Sequence, residues 1–93
     1  MKNSVEWVRS VLTERLSAVS VEVVDESAAH AGHREAPRPG EVSHLSVTVV
    51  SPLFTGRTLL ERHRLVQEAL GEAFAAGLHA LRLRTLAPGE PND

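Results

Sequence analysis

Between Thr58 and Thr85 the hydrophobic period changes once, from helical to alternating, and that change limits the folds open to this chain. Leu59, His63, Val66, Leu70 and Ala73 recur at steps of three and four, which places them on one face of a helix. Glu61, Arg64, Glu68 and Glu72 take the opposite, solvated face. Thr58 followed three residues later by Glu61 is a capping-box pattern that fixes the helix start. Gly77 supplies the stop. Leu78 to Thr85 then alternates, so His79, Leu81 and Leu83 are expected on the same, inward side of a strand. The stretch therefore predicts one long amphipathic helix, a glycine stop and a buried strand, with the rest of the chain arranged to cover them.

The preceding residues follow the same logic. Asn3 or Ser4 can cap a first helix whose apolar stripe is Val5, Val8, Val11, Leu12 and Leu16, with Trp7 off its centre. Val19, Val21 and Val23 then alternate with Ser20 and Glu22, predicting a half-buried strand. From Asp25 to Ser43 periodicity is lost among glycines, prolines and small or charged residues, predicting a flexible loop over about 26–43 that carries His30 and His33. Loops this long in small domains usually have a use or lack order. His44 to Ser51 is a second alternating strand with Leu45, Val47 and Val49 inward, ended by Pro52. The closing APGEPND, about 87–93, reads as frayed.

The expected order is α-β-β-α-β in one domain spanning 1–93, an α+β fold. The first two strands can pair antiparallel across the loop. The long helix is a crossover, so the third strand should run parallel to the second. The result is a three-stranded mixed sheet with helices on one face and the other face open.

Composition narrows the chemistry. With 93 residues and only 3% aromatic content, the core must be built from Val, Leu and Ala and is too small to hide a deep active site. The chain has no cysteine, which excludes disulfides, thiol catalysis and a self-contained thiolate cluster. Any metal must be held by histidine or carboxylate, or share sulfur from a partner. A formal net charge of −2 weakens a general nucleic-acid reading. No apolar run approaches spanning length and the first residues lack a signal-peptide core, so the expectation is a cytoplasmic protein without membrane contact.

The histidines have plain readings as well as chemical ones. His79, at the start of a strand, suits a core or rim histidine bonded to a backbone group. His63, on the helix stripe between Arg62 and Arg64, suits a half-buried structural role or partner contact. His30 and His33 form an H-x-x-H pair, a weak metal motif beside the reading of solvated loop residues. His44 shares the parity of Ser46 and Thr48 and reads as exposed. Arg57, Arg62 and Arg64 cluster at the long helix's start, and Arg82 and Arg84 lie on the outward side of the third strand. These are solvated faces or a positive patch, to which the amides of Thr55-Gly56-Arg57-Thr58 could add a phosphate site. A KH-type G-x-x-G loop and stacking aromatics are missing. No serine sits in a nucleophile motif and no carboxylate pair shares an apolar setting, so the chain reads as non-enzymatic.

VEVVDES, a histidine three positions later, HLSVTVVSPLFTGRTLLERHRLV and LHAL together resemble the BolA family along nearly the whole chain. The V-D-E-S, F-x-G-[R/K], R-H-R and H-A-L blocks stand in that family's order and spacing. Leu45 replaces a frequent phenylalanine, and the usual hydrophobic closing segment is absent. The resemblance implies a type II KH-like fold and a monothiol glutaredoxin as partner. With it and glutathione the chain would hold a bridging [2Fe–2S] cluster, none being expected in the isolated chain, which would be a monomer or weak homodimer. It also implies the ligands: His79 from the H-A-L block, and His30 from the loop with His33 as its alternate. Two imidazoles on one iron and thiolates on the other is Rieske-type ligation. The alternative implied is a DNA-binding regulator that uses the arginines named above.

Overall fold

The computed structural model describes residues 4–27 and 43–92. The order is α1 (Val5–Arg15), β1 (Ser20–Asp25), β2 (His44–Val50), a 3-10 turn (Pro52–Phe54), α2 (Leu59–Ala69), α3 (Gly71–Ala75) and β3 (Ala80–Leu86). β2 is central; β1 pairs with it antiparallel and β3 parallel. The register places Val21 opposite Val49, Val23 opposite Val47, Leu45 opposite Leu81 and Val47 opposite Leu83. Those residues share one side of the sheet, onto which α1 and α2 pack, and Val8, Leu12, Leu16, Phe54, Val66, Leu70 and Ala73 complete the core. Glu22, Ser46, Thr48, Arg82 and Arg84 face the open side. Among the described residues no helix is long and apolar enough to cross a membrane.

Capping follows from local chemistry. The Ser4 hydroxyl accepts from the Trp7 amide, and Thr58 and Glu61 satisfy each other's backbone reciprocally at the start of α2. Ser51 sits where three elements meet. Its buried hydroxyl donates to the Leu16 carbonyl at the end of α1 and accepts from Leu53, while its amide donates to Leu86 at the end of β3.

Several expectations about the helices and strands need correction. The long helix is two helices, because the chain turns at Leu70 (φ −101, ψ 14) and Gly71 follows. Glycine weakens a helix interior, and the buried Leu70 side chain anchors the turn in the core. Leu59 is 64% exposed rather than inward, since it precedes the first turn that reaches the sheet. Val19 is 67% exposed for the same kind of reason: it lies ahead of the β1 ladder. Finally β3 is half-buried, being an edge strand open on its far face.

Residues 87–90, within the stretch where fraying was expected, are tied to the body. Ala87 is buried, and residues 87–90 form a turn in which the Glu90 amide donates to the Ala87 carbonyl and Gly89 supplies a positive φ of 91. Glu90 meets Arg62 in a two-pronged ion pair at 2.7 and 3.0 Å.

Candidate functional site

The sheet end at which the 28–42 segment leaves and returns is built by serines and histidines. Asp25 accepts from the Ser27 amide through its side chain, a short turn that stops β1. The Ser27 hydroxyl then accepts from the Ser43 amide at 2.8 Å and from the His44 amide at 3.3 Å. These bonds clamp the two roots of the intervening segment together. The Ser43 carbonyl in turn accepts from His79 at 2.8 Å and Ala80 at 3.1 Å, which joins the start of β3 to the same corner.

His79 is placed there by the end of α3. Gly77 takes a φ of 123 and the Leu78 amide donates back to the Ala73 carbonyl, a Schellman closure that buries Leu78. Because Leu78 takes the inward position and the ladder begins only at Ala80, His79 turns outward. Its exposure corrects the expectation of an inward-facing histidine. Its backbone is held while its imidazole is open to solvent. The His44 ring lies 6.3 Å away between centroids, tilted by 32°, with Nδ1 bonded to the Ser43 hydroxyl at 2.8 Å. Sequence reading set His44 aside as merely exposed. The signal was present, since a parallel register aligns residue 44 with residue 80. His30 and His33 lie outside the described residues.

The other expected site residues scatter. His63 is half-buried on α2, with a buried Nε2 that has no hydrogen-bond partner among the described residues. Arg62 does not stand free on a basic patch. Its guanidinium bonds Glu90, the Thr85 carbonyl and the Arg57 carbonyl, and lies 6.0 Å from the centre of the Phe54 ring. The bonded carboxylate raises the Arg62 pKa, and that same hydrogen bond, with help from the Ala87 amide, holds Glu90 down at about 2. Arg57 and Arg64 are exposed, Arg57 donating to the Leu53 carbonyl. Arg82 and Arg84 are exposed on β3, with Arg84 bonded to Asn92. The proposed phosphate-binding amides are mostly occupied: Thr55 donates to Pro52, Arg57 to Phe54 and Thr58 to Glu61.

Among the described residues no group of three or more His, Cys, Asp or Glu side chains could hold a metal. The corner therefore offers imidazoles but not a complete coordination shell, and the chain has no thiolate to add. That donor set fits a cluster only if sulfur comes from elsewhere.

The family model for BolA-like proteins matches residues 12–90. The structure is similar to BolA1 from Arabidopsis thaliana, with a TM-score of 0.84 at 35% identity over 99% of each chain. It is also similar to the BolA domain of SufE1 from the same plant, with a TM-score of 0.78 at 36% identity, covering 90% of this chain and 91% of that one. In sequence it is 40% identical over 82 residues to the DNA-binding transcriptional regulator BolA of Escherichia coli, covering 84% of this chain and 73% of that protein. The chain spans 57% of the length of the plant's chloroplastic BOLA1 and 23% of its SufE-like protein 1. From these matches and the shared three-stranded architecture, the chain belongs to the BolA family.

Proposed function

We propose that the chain is a non-enzymatic adaptor that binds a monothiol glutaredoxin and shares a bridging [2Fe–2S] cluster with it and with glutathione. One observation carries this reading: His79 offers an exposed imidazole on a backbone fixed to Ser43, the residue into which the segment bearing His30 and His33 returns. His79 is the preset ligand. His30, or His33 in its place, is the second, and the partner's cysteine and glutathione supply the sulfur this chain lacks.

The test is to mix the chain with a cluster-loaded monothiol glutaredoxin and follow visible absorption and circular dichroism. The bands should move toward histidine-ligated character, and the two proteins should co-elute. His79→Ala should abolish the shift, His30→Ala should weaken it, and the double change at His30 and His33 should cost more than either alone. An unchanged spectrum without co-elution ends the proposal. If His63→Ala destroys sharing while His79→Ala leaves it intact, the ligand assignment is wrong.

DNA binding is the second reading, favoured by the exposed Arg82 and Arg84 on one side of β3 and by the description of the E. coli relative. Arg62 cannot serve it without giving up Glu90. Retardation of a duplex should then fall steeply with salt as counterions are released, and should be lost in Arg82→Ala/Arg84→Ala. No retardation at low salt removes this reading.

A further inference from the structure

We propose that the groove between the end of α1 and α2 is a binding site for a small zwitterion, an α-amino acid with an apolar side chain. The groove has a volume of about 160 Å3 and is lined by Arg15, Leu16, Leu65, Glu68 and Ala69. A space of that size holds one ring or one branched side chain, since cavities on the order of 150 Å3 take a molecule such as benzene. Leu16 and Ala69 are buried at its floor, Leu65 is half-buried, and Arg15 and Glu68 are exposed at its rim.

The two charges decide the class of ligand. Arg15 and Glu68 line one groove, yet neither side chain has a hydrogen bond or an ion pair among the described residues. Arg62 and Glu90, by contrast, close to 2.7 Å. Opposite charges that border one space without meeting leave room for a ligand that carries both signs. Its carboxylate pairs with the Arg15 guanidinium, whose planar fork matches a carboxylate in two parallel bonds. Its ammonium pairs with Glu68, and its side chain lies on Leu16, Leu65 and Ala69, where apolar area leaves water. The floor is fixed beforehand. The Leu16 carbonyl accepts from the buried Ser51 hydroxyl and Ala69 is packed in the core, so little ordering remains to oppose binding. A groove this small and open binds weakly, with a dissociation constant on the order of millimolar.

The site shares no residue with the His79 corner or with the arginines of the DNA reading, so its test needs no glutaredoxin, iron or nucleic acid. The full chain, isotopically labelled, is titrated with L-leucine and followed by its amide chemical shifts. Saturable shifts confined to Arg15–Ser17 and Leu65–Ala69 are expected. N-acetyl-L-leucine, which lacks the cationic head, and L-leucinamide, which lacks the anionic one, should each bind about two- to fivefold more weakly, the scale of an exposed ion pair. Free glycine, which keeps both charges without the side chain, should give no saturable shift. Arg15→Gln should erase the difference between L-leucine and L-leucinamide, and Glu68→Gln the difference between L-leucine and N-acetyl-L-leucine. Both residues are exposed, so neither change touches the core, and the amide spectrum of each variant reports its folding directly. No saturable shift with L-leucine, shifts away from the groove, equal binding by both analogues, or preferences that survive the two substitutions overturn the proposal.

Discussion

Arg62 shows how one side chain can look like a ligand-binding residue and act as a strut. It spans α2, the end of β3 and the turn at 87–90, and its carboxylate partner is found by no local pattern, since Glu90 lies far along the chain. The expected result is a pH signature. Glu90 has its ordinary pKa of 4.5 lowered to about 2 in the folded chain, so the folded state holds it ionised more strongly than the unfolded state does. The stability it contributes is present above 4.5 and is lost as pH falls from there toward 2. Glu90→Gln should therefore lower the urea midpoint at neutral pH, and the gap from the parent chain should close through that acid window. A gap that is constant with pH would show that the carboxylate charge is not what matters. Legibility at this scale was uneven. The Ser4 and Thr58 caps are written in adjacent residues, whereas the turn at 87–90 reads as frayed end despite its Pro88-Gly89 pair. The Arg62–Glu90 pair depends on tertiary distance alone, whereas the placing of His79 beside His44 follows from the parallel register of β2 and β3.

The two Schellman closures contrast at the level of elements. After α3 the left-handed position is Gly77, which carries no Cβ and takes the conformation without strain. After α1 the same position is Ser17 at φ 50, and the Ala18 amide closes onto the Thr13 carbonyl. A residue other than glycine in that region costs about 1–2 kcal/mol, against about 0.5–1 kcal/mol that glycine loses in backbone entropy. Ser17→Gly should thus raise stability by roughly 0.5–1 kcal/mol, read as a higher denaturant midpoint with unchanged slope. Every strand and its pairing direction could be read from alternation and connection length, because one buried face leaves little choice of register. The break between α2 and α3 could not. Gly71 alone is tolerated in many helices, and only the burial of Leu70 shows why the chain turns there.

Across the whole molecule, Ser51 is the point at which the helix layer and both strand ends are locked. Ser51→Ala would leave the buried Leu16 carbonyl and the Leu53 amide without this partner, a loss of about 1–3 kcal/mol that should appear as a single lowered unfolding transition. A second, early transition would instead mean that α1 detaches by itself. The carbonyl of Ser43 has a different consequence, one of timing. It receives the amides of His79 and Ala80 only after the chain has passed through α2 and α3, and parallel pairings of this kind need their crossover in place. Contacts between distant residues close late, because the entropy of the intervening chain must be lost first. His79 therefore gains its native setting only once β3 has docked against β2. A chain still emerging, or stalled before β3 docks, presents no such corner, so the partner proposed above would meet it only on molecules that have finished folding.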